Sequence, residues 1–99
     1  MNNVYTLHTV SQFLADSRNQ TIILTNGCFD LLHPGHIDYL TKAKALGDQL
    51  IIGLNSDQSV QSIKGPTRPI NNQQFRASML FGLKPVDACL LYTSPSPRD

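Results

Sequence analysis

Residues 21–47 leave few folds open. Thr21-Ile22-Ile23-Leu24 is a short, β-branched and apolar run, which predicts a buried strand. Ile37, Leu40, Ala43 and Leu46 then recur at helical spacing up to Gly47, a natural helix stop. Between them lies the turn-rich run Thr25-Asn26-Gly27-Cys28-Phe29-Asp30-Leu31-Leu32-His33-Pro34-Gly35-His36. Strand, loop and helix in that order put the loop at the carboxyl end of a strand, where open α/β sheets bind ligands. Gly27 permits close backbone approach or a positive φ, and Pro34-Gly35 fixes the entry into the helix. The first N–H groups of that helix and its dipole favour an anion. His33 and His36 bring imidazole donors to the same end.

The chain around this run extends the same architecture. Gln49-Leu50-Ile51-Ile52-Gly53-Leu54 is almost wholly apolar, as central parallel strands are, so residues 21–54 form one right-handed βαβ unit. Residues 58–72 are polar around Lys64-Gly65-Pro66-Thr67-Arg68-Pro69 and are expected to be a long functional loop. Asn71 or Asn72 can cap a second crossover helix near residues 72–83, whose apolar face is Phe75, Met79, Leu80 and Leu83. Residues 86–91 then read as a third parallel strand. Ahead of the unit, Leu7, Val10, Phe13 and Leu14 share one helical face, with Thr6 or Thr9 as cap. The expected division is a lead-in helix over 1–20, a partial α/β domain over 21–91 and a tail over 92–99. That tail, with two Ser-Pro steps, is expected to pack against little, and it resembles the translated adapter stub of a truncated reading frame.

Composition removes several function classes. A net charge of +1 and the lack of a basic run argue against a nucleic-acid surface. No apolar segment approaches the roughly 20 residues that span a bilayer. The first residues lack a signal peptide's basic flank and apolar core, and Cys28 and Cys89 read as reduced thiols, so a cytoplasmic protein is expected. What remains is phosphate-directed. Lys64, Arg68 and Arg76 are available cations, of which Lys64 is favoured and Arg68 is weakest. Arg76 reads equally as a phosphate contact or a solvated helix residue. Asp30 and Asp57 lie at strand ends, where they could hold a metal, a ribose hydroxyl or a sugar hydroxyl, while Asp48 only ends the first helix. No serine or cysteine has an evident base partner, so covalent catalysis is not suggested. His33 and His36 lack the Glu-containing pattern of zinc hydrolases, and the chain has neither a Gly-x-Gly-x-x-Gly nor a Walker sequence.

The loop resembles the His-x-Gly-His signature of the cytidylyltransferase-like nucleotidyltransferases. The similarity continues through Ala43-Lys44-Ala45-Leu46-Gly47-Asp48, Gly53-Leu54-Asn55-Ser56-Asp57, Lys64-Gly65-Pro66, Arg68-Pro69-Ile70-Asn71 and Arg76-Ala77. That longer pattern is most similar to the D-glycero-β-D-manno-heptose 1-phosphate adenylyltransferases, often the C-terminal half of bifunctional kinase/adenylyltransferases. The resemblance implies a Rossmann-like, three-layer α/β nucleotidyltransferase fold with a parallel sheet, incomplete at its C-terminus. It implies transfer of AMP from ATP to a sugar 1-phosphate, with Mg²⁺ held mainly by the nucleotide phosphates and no protein metal site. His33, His36 and Lys64 would be catalytic. Asn26, Gly27, Cys28, Phe29, Gly35 and Arg76 would contact the nucleotide or its phosphates, the amides of Gly35 and His36 cradling them, and Asp30 and Asp57 the substrate. One departure is that Gln73, Gln74 and Phe75 stand before Arg76, where relatives usually carry an acidic residue. Two alternatives share the signature: a cytidylyltransferase acting on glycerol 3-phosphate or a phospho-alcohol, and a non-catalytic nucleotide-binding fragment. A homo-oligomer in which a second copy completes the sheet is compatible with either.

Overall fold

The computed structural model describes residues 4–93. In chain order these form β1 (Val4–Tyr5), α1 (Val10–Asp16), β2 (Ile22–Gly27), α2 (Pro34–Lys44), β3 (Gln49–Asn55), α3 (Asp57–Lys64), α4 (Gln73–Phe81) and β4 (Ala88–Tyr92). The four strands make one parallel sheet in the order β1-β4-β3-β2. The fold is α/β and Rossmann-like, as the βαβ reading requires. β2 and β3 are adjacent and parallel, with Leu24 opposite Ile51 and Gly27 opposite Leu54. All four helices serve as connections between strands.

Burial explains why β3 is apolar throughout. Its Leu50, Ile52 and Leu54 share one core with Leu40 and Ala43 of α2, Ala77 and Leu80 of α4, and Cys89 of β4. Ile51 faces the other way and packs with Phe13 of α1 and Ala88 of β4. With both faces covered, alternation would place a polar side chain in one core or the other. Asp48 ends the α2 connection: its Oδ2 accepts the Thr21 N–H at 2.8 Å.

The structure departs from expectation at three places. The lead-in helix is shorter than residues 4–19, and Val4–Tyr5 ahead of it is a strand that pairs with Cys89 and Leu90. Residues 58–64, expected within a loop, and Asp57, expected at a strand end, are helix α3. Ser56 caps it by accepting the Ser59 N–H at 3.2 Å, Asp57 sits in its first turn and Val60 is buried. The connecting loop is therefore only residues 65–72. Lastly, Tyr92 belongs to β4 opposite Asn55, its carbonyl accepts the Ser56 N–H at 2.8 Å, and Thr93 meets the Ser56 hydroxyl at 2.7 Å. Residues 94–99 of the expected tail lie outside the described residues. Among the described residues, no helix is long and apolar enough to cross a membrane.

Candidate phosphate-binding cleft

The carboxyl ends of β2, β3 and β4 (Gly27, Asn55 and Tyr92) come together at one edge of the sheet. Two adjoining cavities of about 410 and 540 Å³ open there and share Asn26, Gly27, Cys28 and Lys64. The first is also lined by Phe29, Asp30, Leu31, His36, Tyr39 and Arg68, the second by Asn55, Ile63 and Tyr92.

The β2–α2 loop builds one wall through a chain of close contacts. Phe29 takes φ 49°, which turns its buried ring back over Gly27, so a side chain at 27 would collide with that ring. Gly27 itself needs no positive φ; what it supplies is room. The Phe29 ring meets His36 edge-on, with centroids 5.5 Å apart, and His36 stacks on His33 at 4.0 Å. His33 is the N-cap of α2: its Nδ1 accepts the Gly35 N–H at 3.0 Å, and a Cβ at Gly35 would lie 2.7 Å from that ring. In return His36 Nδ1 accepts the His33 N–H at 3.3 Å, closing a capping box made of two histidines. A neutral imidazole that accepts at Nδ1 carries its proton on Nε2, so both rings are Nε2–H donors. Burial, with the neighbouring His33, holds the His36 pKa below the ordinary value of 6.5. That favours the neutral form this cap requires.

The same box corrects an expectation about Gly35 and His36. Their amides do not stand open toward an anion: Gly35 donates to the His33 ring and His36 donates to the His33 carbonyl at 2.9 Å. Pro34 has no N–H to offer. In the first turn the donors left over are on imidazoles, not on the backbone.

Arg76 and the two carboxylates also differ from their expected roles. Arg76 is fully buried. Its Nε donates to the Asn71 carbonyl, Nη1 to the carbonyls of Cys28 and Asn55 at 2.8 and 2.7 Å, and Nη2 to Asp57 Oδ1 at 2.8 Å. With no exposed surface and four of its five N–H donors engaged by the protein, this guanidinium is a wall-building group and not one that faces a phosphate. Asp57 is correspondingly an ion-pair partner at the start of α3, and its N–H donates to Gln73 Oε1 at 2.9 Å. Asp30 is buried, with Oδ1 accepting from the Asn71 N–H and Oδ2 from the Ile70 N–H and Arg68 Nε, at 2.8, 2.9 and 2.9 Å. Burial alone would raise the Asp30 pKa; the amides of Asn71 and Ile70, with Arg68, outweigh it and hold the carboxyl below the usual 3.8. Asp30 therefore latches the 65–72 loop onto the β2–α2 loop, its oxygens already engaged by three donors of the protein.

Lys64, now the last residue of α3, lines both cavities and is exposed. Asn26 and Cys28 line both as well, and the Cys28 thiol donates to Asn55 Oδ1 at 3.6 Å. His33 is exposed and lines neither cavity; its link to the cleft is the stack on His36. Two residues gain standing. Arg68, the weakest cation by sequence, lines the cleft, and Tyr39 lines it while its hydroxyl meets Thr25 Oγ1 at 2.7 Å. The signal for Arg68 was Asp30 itself: a carboxylate placed beside a buried loop needs donors, and Arg68 is a cation in the loop that reaches it.

The sequence model of the Cytidylyltransferase-like family matches residues 24–93. The chain is 56% identical over 83 residues to "Bifunctional protein HldE" of Wolinella succinogenes, covering 84% of this chain and 18% of that protein. It is 51% identical over 84 residues to the protein of the same name from Haemophilus influenzae PittEE, covering 85% and 18%. In three dimensions it is similar to the lipopolysaccharide core biosynthesis protein of Thermoplasma volcanium, with TM-score 0.71 and 31% identity over 79% of this chain and 62% of that one. The chain thus spans under a fifth of the length of those two relatives.

Proposed function

The chain belongs to the cytidylyltransferase-like family, and from that premise we propose that its cleft transfers AMP from ATP to a sugar 1-phosphate, heptose 1-phosphate in particular, releasing pyrophosphate. The observation that carries this reading is the pair of imidazoles locked as Nε2–H donors beside a cleft that also holds Lys64 and Arg68. A sugar phosphate is already an anion at neutral pH, so its attack on the α-phosphorus needs no general base. The work left to the protein is to align two anions and to stabilise charge building on the phosphoryl oxygens. His36, and His33 stacked on it, would donate Nε2–H to those oxygens. Lys64, at the junction of the two cavities, would hold the departing phosphates.

Mg²⁺ enters this reading as the counter-ion of the nucleotide. The protein's own donors do not fit a metal cage: Asp30 and Asp57 are committed to Arg68 and Arg76, and among the described residues no three His, Cys, Asp or Glu side chains cluster to hold one. No step is therefore routed through a protein-held metal. The choice of a heptose acceptor is supported by the 56% identity to a protein named HldE together with the long motif pattern.

The test is pyrophosphate release by the 99-residue chain with ATP and heptose 1-phosphate, run beside CTP with glycerol 3-phosphate. Release with the first pair is expected. Release only with the second would replace adenylyl by cytidylyl transfer. Calorimetric ATP binding with no turnover from either pair would reduce the chain to a nucleotide-binding fragment.

A further inference from the structure

One cation of the cleft is already oriented by the protein while its outer donors remain open. Arg68 Nε donates to Asp30 Oδ2 at 2.9 Å, and the same carboxylate is itself fixed by two backbone amides. Among the described residues no group accepts a hydrogen from the Arg68 Nη atoms. The side chain is 32% exposed, and the residue lines the cavity that His36 and Lys64 also line. A guanidinium is rigid and planar, so anchoring Nε fixes the direction of the Nη pair, a fork that matches two phosphate oxygens. Lys64 offers the same charge on a flexible stem and cannot be aimed in this way.

We propose that Arg68, oriented by Asp30, is a phosphate-binding residue of the cleft. The proposal deepens the phosphoryl-transfer reading above and rests on it for the identity of the ligand, a phosphate of either the nucleotide or the acceptor. It assigns the two arginines opposite roles: Arg76 supports the walls and Arg68 meets the ligand. It also explains a carboxylate buried beside an anion site. Asp30 is there to hold the guanidinium and the Ile70–Asn71 backbone, and its own charge is drawn down by three donors.

The probe is tripolyphosphate, titrated calorimetrically into the chain and into Arg68→Gln, Arg68→Lys and Asp30→Asn, with thermal unfolding run on each. Arg68→Gln is expected to weaken tripolyphosphate by about 10- to 100-fold, the range for losing charge-assisted hydrogen bonds. Arg68→Lys should recover only part of that. Asp30→Asn removes a negative charge from the site, so simple Coulomb attraction calls for tighter binding; orientation of Arg68 calls for weaker binding, which is the expected result. Unchanged affinity in Arg68→Gln, or tighter binding in a folded Asp30→Asn, overturns the proposal. If Asp30→Asn does not fold, Arg68→Lys decides, because affinity equal to wild type would show that a point charge suffices. Repeating the Arg68→Gln titration with ATP and with heptose 1-phosphate identifies which phosphate Arg68 holds. Arg68-dependent tripolyphosphate binding in a chain that releases no pyrophosphate would leave this site standing and remove the transfer reading.

Discussion

His36 performs two tasks with two nitrogens, and mutation and acid separate them. Nδ1 closes the cap on α2 while Nε2–H is left for a ligand. On the proposed mechanism His36→Ala lowers kcat for pyrophosphate release by about 10²–10³, the cost of one charge-stabilising donor, with a much smaller change in ATP affinity. Wild-type kcat in that variant would remove His36 from the chemistry. Acid attacks the other nitrogen. The folded pKa of His36 lies below its ordinary 6.5, so its contribution to stability is full above that value and is lost as pH falls through the folded pKa. Asp30 follows the same sign lower down: its contribution is present above 3.8 and lost as pH falls through its depressed value. Urea midpoints measured from pH 8 to 3 should therefore fall in two stages, and His36→Ala should abolish the upper stage alone. Sequence placed His33 and His36 together because their spacing fixes them on one helical turn. It could not show that the His33 ring takes the Gly35 N–H and the His36 ring the His33 N–H, since that depends on the stacked ring geometry.

At the scale of elements, legibility followed the length and polarity of each segment. β2 and β3 were visible as apolar runs, and α2 by its spacing and its Pro-Gly entry. α3 was hidden because its eight residues include only Val60 and Ile63 as apolar anchors, so a three-turn periodicity never develops. Its signature was the cap at Ser56, whose hydroxyl also meets Thr93 beyond β4. Ser56→Ala is expected to lower the unfolding free energy by about 1 kcal/mol, typical for a lost N-cap, and to loosen the start of the helix that carries Lys64 at its far end. Amide exchange at Ser59, the capped N–H, should speed up in that variant; unchanged exchange would mean that the cap contributes little. β1 was illegible for a different reason. Two residues cannot show a period, and their partner strand lies more than eighty positions away in sequence.

Across the whole molecule, the cleft is held together by one buried guanidinium that ties segments lying far apart in the chain. Arg76 takes the carbonyls at the ends of β2 and β3 through Cys28 and Asn55, the carbonyl of Asn71 before α4, and the carboxylate that opens α3. Sequence could register a cation at this position but not its burial, because its partners come from three separate stretches, at Cys28, Asn55–Asp57 and Asn71. The distinction has a measurable consequence. Arg76→Leu strands three carbonyl acceptors, that of Asn55 buried, at about 1–3 kcal/mol for a buried acceptor left unpaired, while the Asp57 carboxylate, 40% exposed, is screened by water and adds little. Against a typical stability of about 5–15 kcal/mol, that is enough to shift the folding equilibrium visibly. The urea midpoint should drop sharply, and ATP binding should fall only in proportion to the unfolded fraction, recovering when folding is restored by an osmolyte. A phosphate-binding Arg76 would produce the reverse pattern, with an unmoved midpoint and weak binding in a folded chain. Arg68→Gln should give that reverse pattern instead, so the two arginine variants measured side by side separate the residue that holds the cleft together from the one that faces into it.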